Sequence, residues 1–162
     1  MIKKIQFIVL AMLIGYVSSC KKDDVDTEAD DALYNEIKTG TYTYYQNGNL
    51  LNGVSPSPHG SFRLRFNSIA TAALDSTGEL PTGSSFPTGS VIVKEINENG
   101  GLHLYAIMKK DPSNENAGSG WIWAELESDG SSHFSASKKG DGCISCHSGS
   151  PNRDLSRTFD LH

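Results

Sequence analysis

The chain has 162 residues, a formal net charge of −5, 37% hydrophobic residues and three cysteines. That length supports one domain with a hydrophobic core of its own. The acidic balance argues against nucleic acid as a partner, and fits either a solvated acidic surface or a basic redox protein as partner.

Residues 1–19 read as a secretory leader. Lys3 and Lys4 give a positive start, and residues 5–14 are mostly apolar, a run too short to span a membrane comfortably. The run leads into Val17-Ser18-Ser19-Cys20, which resembles a bacterial lipobox, where the leader is cut before the cysteine and lipid is attached to it. An ordinary signal peptide with an incidental cysteine is the other reading. Cys20 sits where lipidation needs it, behind two small serines, so a lipid anchor in a membrane through Cys20 is expected. The charged Lys21-Lys22-Asp23-Asp24 resembles the start of some outer-membrane or surface-sorted lipoproteins. The expected location is therefore exported and anchored to a bacterial membrane, facing the periplasm or the surface. Residues 20–30 are acidic and polar and read as a lipidated tether, with residues 31–162 as the folded domain.

Ala29, Leu33 and Ile37 recur at helical spacing and Gly40 offers a stop, which predicts a short helix over residues 29–38. Tyr42, Tyr44 and Tyr45 lean towards strand, and residues 46–60, rich in Asn, Gly, Pro and Ser, read as a loop. Phe62-Arg63-Leu64-Arg65-Phe66 alternates cleanly, as a half-buried strand requires. Residues 69–74 suit a short helix and residues 78–89 a loop. Residues 91–96 and 102–109 read as two strands joined by a tight turn at Asn97-Glu98-Asn99-Gly100. After a polar loop over residues 111–120, residues 121–127 form a further strand that ends at Asp129-Gly130. The expected fold is α+β: an antiparallel sheet with flanking helices.

The Gly- and Ser-rich C-terminal stretch holds Cys143-Ile144-Ser145-Cys146-His147. CxxCH is the attachment pattern of c-type haem. Two thiols must reach two vinyl groups on one porphyrin edge, and the next side chain must meet the iron, which one short helical turn allows. Cys143 and Cys146 are the expected thioether residues and His147 the expected iron ligand, giving one covalent haem c near the C-terminus. A zinc site would show a second ligand pair, a thioredoxin-like pair would sit in a βαβ unit, and a disulfide over two residues would close a strained ring. Export agrees with the haem, since bacterial covalent haem attachment occurs outside the inner membrane.

No methionine follows the motif, and Met108, on a predicted strand, suits core packing better than iron ligation. An open distal iron site follows, favouring small-ligand binding or catalysis over simple electron transfer. Ile92, Lys94 and Ile96 share one strand face, so Lys94 either snorkels to solvent or sits in a partly apolar site, where its neutral, nucleophilic form is favoured. Glu125 shares a face with Trp121 and Trp123, and Asp141 precedes the motif. Either carboxylate could serve as a base, or simply as a solvated acid. Arg63 and Arg65 share a face that either holds a haem propionate or is exposed. His59, His103 and His133 are candidate sixth ligands or exposed histidines.

From about residue 57 to the C-terminus, three features together resemble the cytochrome P-460 family. They are Phe86-Pro87-Thr88-Gly89-Ser90-Val91-Ile92-Val93-Lys94-Glu95, Gly120-Trp121-Ile122-Trp123-Ala124, and the late CxxCH; the segment from Arg153-Asp154 to Phe159 resembles the family's closing stretch. The resemblance implies an antiparallel sheet with flanking helices and a common tendency to form a homodimer. It also implies haem-iron oxidation of hydroxylamine in catalytic members, with a covalent bond from a lysine to the haem ring. Lys94 matches that lysine's motif position. A related branch, the beta-type cytochromes c-prime, lacks the bond and binds nitric oxide or carbon monoxide. Three functions are carried forward: an oxidoreductase acting on hydroxylamine or nitric oxide, a non-catalytic binder of nitric oxide or carbon monoxide, and an electron carrier.

Overall fold

The computed structural model describes residues 27–55 and 57–160. The leader, Cys20 and the first part of the predicted tether lie outside the described residues. Helix α1 (Thr27–Thr39) is followed by strands β1 (Tyr42–Tyr44), β2 (Leu51–Asn52) and β3 (Ser61–Asn67), then helix α2 (Ser68–Thr71). Strands β4 (Val91–Glu98), β5 (Gly101–Lys110), β6 (Trp121–Glu127) and β7 (Ser132–Phe134) come next, and helix α3 (Cys143–His147) carries the CxxCH motif. The strands form a seven-stranded antiparallel sheet in the order β1-β3-β4-β5-β6-β7, with β2 also pairing with β3. The α+β architecture read from the sequence is the one observed.

The hairpin between β4 and β5 turns on Asn99 and Gly100, both at positive φ (51° and 83°). A two-residue turn of this hand matches the twist of its strands, and Asn-Gly tolerates it best. β2 and β7 were not anticipated. Both are short and polar, and their positions come from pairing with neighbours rather than from a pattern of their own.

The sheet is buried on both faces. Phe62, Leu64, Phe66, Ile92, Met108 and Trp123 belong to one core, on the face that receives α3. Val91, Val93, Tyr105, Ile107, Ile122 and Leu126 belong to the other, where Leu33 and Ile37 of α1 pack. The helix therefore begins at Thr27, two residues earlier than its pattern suggested, and its Asp30 carboxylate is buried and accepts the Ala136 N–H at 2.8 Å.

That second layer corrects the reading of β3 as half-exposed. Arg65 is only 8% exposed. Its guanidinium donates to the Ile37 carbonyl at 2.9 Å, pairs with Glu95 at 2.8 Å and lies 4.5 Å from the Tyr42 ring centre. It ties α1 to the centre of the sheet. Arg65→Ala is expected to cost roughly 3–5 kcal/mol of folding stability, because Glu95 would be left as a largely buried, uncompensated charge. Chemical denaturation of the two proteins measures this, and a loss below 1 kcal/mol would contradict the assignment.

Candidate haem site

Strand pairing places Leu64, Lys94, Ala106, Glu125 and Phe134 in one row across the sheet. Lys94 and Glu125 are two strands apart, roughly 10 Å at the usual strand spacing. Ala106 stands between them, and its small side chain leaves a depression. The depression is the floor of a cavity of about 660 Å³, within the roughly 300–1,000 Å³ range of cofactor sites. Its lining includes His59, Lys94, Glu125, Cys143, Cys146 and His147.

Helix α3 forms the wall facing this floor. Its first turn is fixed by the Gly140 carbonyl, which accepts from the N–H groups of Cys143 (3.0 Å) and Ile144 (3.1 Å). Gly140 has φ of +74° and packs so closely on Trp123 that a Cβ would enter the indole. Trp123 is anchored in turn by its Nε1–H, which donates to the Gly118 carbonyl at 3.0 Å. Ile144 then joins the core, leaving the two cysteines and His147 on the cavity side.

Cys143 is half-buried, Cys146 is exposed, and both are free thiols. Burial, with the nearby charges of Glu125, Asp141 and Cys146, pushes the Cys143 thiol up to about 11. His147 Nδ1 lies 2.6 Å from the Leu155 carbonyl. A carbonyl only accepts, so Nδ1 carries the proton and Nε2 holds the lone pair that a metal needs. The ring meets Trp123 edge-on at 4.9 Å, and burial lowers its pKa to about 4, which keeps the imidazole neutral and able to ligate. Two free thiols, an oriented imidazole and a cavity of cofactor size fit a haem bound through this motif. Among the described residues no group of three or more His, Cys, Asp or Glu side chains is arranged to hold a bare metal ion.

Lys94 is buried, so of its two readings the structure gives the apolar one. Its Nζ lies 4.4 Å from the Phe62 ring centre, and among the described residues it has no ion-pair partner. Burial lowers its pKa to about 8, with Cys146 opposing. Glu125 is half-buried, and burial raises its pKa, with the charge of His133 opposing. Its Oε1 lies 3.7 Å from His59 Nδ1. Asp141 is exposed at the rim. His59 is half-buried and turned towards Glu125, and burial first, then Lys94 and His147, lowers its pKa to about 4.

The remaining candidates fall elsewhere. Arg63 and Arg65 lie on the sheet face opposite Lys94, since Leu64, between them, is the Lys94 partner. Arg63 is exposed and donates to the Gly48 carbonyl at 3.0 Å, and Arg65 serves α1, so neither reaches the cavity for a propionate. His133 pairs with Glu127 at 2.9 Å, and His103 lies 3.7 Å from the same carboxylate, both at the rim. Met108 is buried in the core and contributes to the cavity wall. Sequence reasoning did not single out Ala106 or Arg157, which also lines the cavity. The row that Ala106 completes is visible only once strand register is known.

Comparison with curated proteins finds no match for the chain. The family model described as cytochrome P-460 matches residues 42–157, from the first strand of the sheet through the CxxCH helix to Arg157. The chain belongs to the cytochrome P-460 family, and membership implies a bound haem of the c type.

Proposed function

We propose that this chain is an exported, lipid-anchored monohaem cytochrome that oxidises hydroxylamine. In this reading Cys143 and Cys146 would hold the haem through thioether bonds, and His147 Nε2 would ligate its iron. The observation that supports it best is the gathering of Lys94, Glu125 and His59 in the same cavity as the motif. When bound, the haem iron supplies a redox centre that draws electrons from a small nitrogenous substrate and passes them to an external redox protein.

Removing two electrons from hydroxylamine to reach the nitroxyl level also releases two protons. Glu125 is the group placed to accept one. A carboxylate whose pKa is raised by burial works closer to neutral pH than an exposed one, which is what proton abstraction needs. His59, 3.7 Å away and kept neutral, is the next group able to take the proton outward. Lys94, with a substantial neutral fraction near pH 8, is assigned as the residue joined to the haem ring. Such a bond would exchange a Lys94 N–H for an N–C bond to a ring carbon, and a two-electron oxidant of the peroxide class would take up the two electrons with the N–H and ring C–H protons.

A second reading, reversible binding of nitric oxide or carbon monoxide, is favoured by the apolar wall of Ile92, Ile96, Leu104 and Met108. The two separate on one assay. Haem-loaded protein is mixed with hydroxylamine and a c-type cytochrome or dye as acceptor. Catalytic reduction of the acceptor is expected. Tight carbon monoxide binding by the ferrous form with no hydroxylamine turnover would leave the binding reading in its place.

A further inference from the structure

The segment after the CxxCH helix approaches His147 in an unusual way. Asp154 and Leu155 both have positive φ (53° and 66°), a backbone region that is unfavourable for a branched side chain such as that of Leu155. The bend brings the Leu155 carbonyl to His147 Nδ1 at 2.6 Å. Its surroundings hold it firmly. The Asp154 carboxylate accepts from Lys110 at 2.7 Å and from the Phe86 N–H at 2.9 Å, Ser156 and Thr158 are buried, and Phe159 stacks on Phe66 at 5.9 Å.

Arg157 follows two residues after Leu155 and lines the cavity. Its Nε is buried and has no hydrogen-bond partner among the described residues. Its Nη1 occupies the space a Cβ at Gly149 would fill, so the glycine makes room for the guanidinium beside the motif helix. Arg157 lines the same cavity as His147 and is seated against Gly149, two residues beyond that ligand. A permanently charged group placed there, with no carboxylate paired to it among the described residues, keeps its charge directed at the cavity.

We propose that Arg157 tunes the reduction potential of the bound haem: its guanidinium, seated against Gly149 beside His147, favours the reduced iron. This rests on the reading that haem is bound through His147. A ferrous centre carries one positive charge fewer than a ferric one, so a nearby cation stabilises it relative to the oxidised form. The Leu155 carbonyl acts in the opposite sense, because accepting the Nδ1–H raises the basicity of the ligand and favours the ferric state. One strained segment thus supplies both influences. Glu98, Glu125 and Asp141 are the acidic groups that share the cavity among the described residues, and Lys94 adds a second cation, so the potential reflects their balance.

The test is spectroelectrochemical titration of haem-loaded wild type, Arg157→Gln, Arg157→Lys and Gly149→Ala, each with its haem content measured. Arg157→Gln is expected to shift the ferric–ferrous equilibrium about tenfold towards ferric, which is about 59 mV lower for a one-electron couple. Arg157→Lys should recover more than half of that shift. Gly149→Ala keeps the charge but displaces it, and should lower the potential as well. An unchanged potential in fully loaded Arg157→Gln overturns the proposal, as does Arg157→Lys behaving like Arg157→Gln, which would indicate packing rather than charge. If Arg157→Gln fails to load haem, Gly149→Ala and Arg157→Lys decide. Wild-type protein that holds no haem would instead refute the haem reading beneath it.

Discussion

Glutamine in place of Glu125 is expected to lower hydroxylamine oxidation by roughly 10²- to 10⁴-fold, the usual contribution of a positioned general base. The substitution keeps the shape of the side chain and removes only its ability to take a proton. Glu125 projects from the same sheet row as Lys94, with Ala106 between them, and so faces the cavity floor. The pH dependence has a definite sign. The carboxyl group must be ionised to act, and burial raises its pKa. Wild-type activity should therefore rise with pH along a limb displaced above that of an exposed glutamate, and the variant should lack that limb. Stability should move the other way. A raised carboxyl pKa means that the fold loses stability as pH rises from the ordinary carboxyl pKa to the native one, so the neutral glutamine is expected to fold at least as well at neutral pH. Steady-state rates with an external acceptor, beside denaturation curves, separate these effects. Activity within tenfold of wild type would remove Glu125 from the mechanism.

Alanine at Gly118 is expected to destabilise the protein by more than about 4 kcal/mol, among the larger single-residue effects. An added Cβ would be driven into the Lys139 carbonyl and approach Ile144 Cδ1 within 2.9 Å. Lys139 belongs to the chain that leads into the CxxCH helix, and backbone on both sides leaves little room to relax. Gly118 also exchanges backbone hydrogen bonds with Trp121 (2.8 and 3.1 Å) and receives the Trp123 indole N–H. Displacing it loosens the tryptophan that supports His147, so haem loading should fall together with stability. Gly101→Ala is the control, because its nearest neighbour, the Glu98 carbonyl, is 4.0 Å away and its φ is ordinary. Thermal or chemical denaturation, with haem content by absorbance, reads both. A fully loaded, stable Gly118→Ala protein would contradict the close approach.

Local chemistry accounts for what was legible in the sequence. Alternation in Phe62-Arg63-Leu64-Arg65-Phe66, the Asn99-Gly100 turn and the CxxCH spacing each reflect constraints acting within a few residues, and each appears in the structure where expected. Non-local relations were not legible. The same alternation left the arginine face either exposed or holding a propionate, yet α1 packs on that face and buries Arg65, while Arg63 stays exposed. A helix some thirty residues upstream leaves no mark on the strand's own pattern. The choice for Lys94 between snorkelling and burial likewise depended on what lies opposite it, namely Phe62 and the motif helix. His59 sits in a Gly- and Pro-rich loop with no periodic signal, and only the fold brings it to Glu125. For Arg157 a local signal existed: a glycine just after the motif and a charged residue in the closing segment. Their contact nevertheless required the bend at Asp154 and Leu155.

The most direct measurement is mass spectrometry of haem peptides from full-length protein made in a bacterium that exports it and attaches c-type haem. After proteolysis, one haem is expected on the peptide containing Cys143 and Cys146, and the same adduct is expected to carry the peptide that contains Lys94. Haem on the two cysteines without the Lys94 peptide would remove the lysine bond and leave the motif assignment standing. Cysteines that carry no haem, in a host whose attachment machinery is active, would contradict the account at its centre.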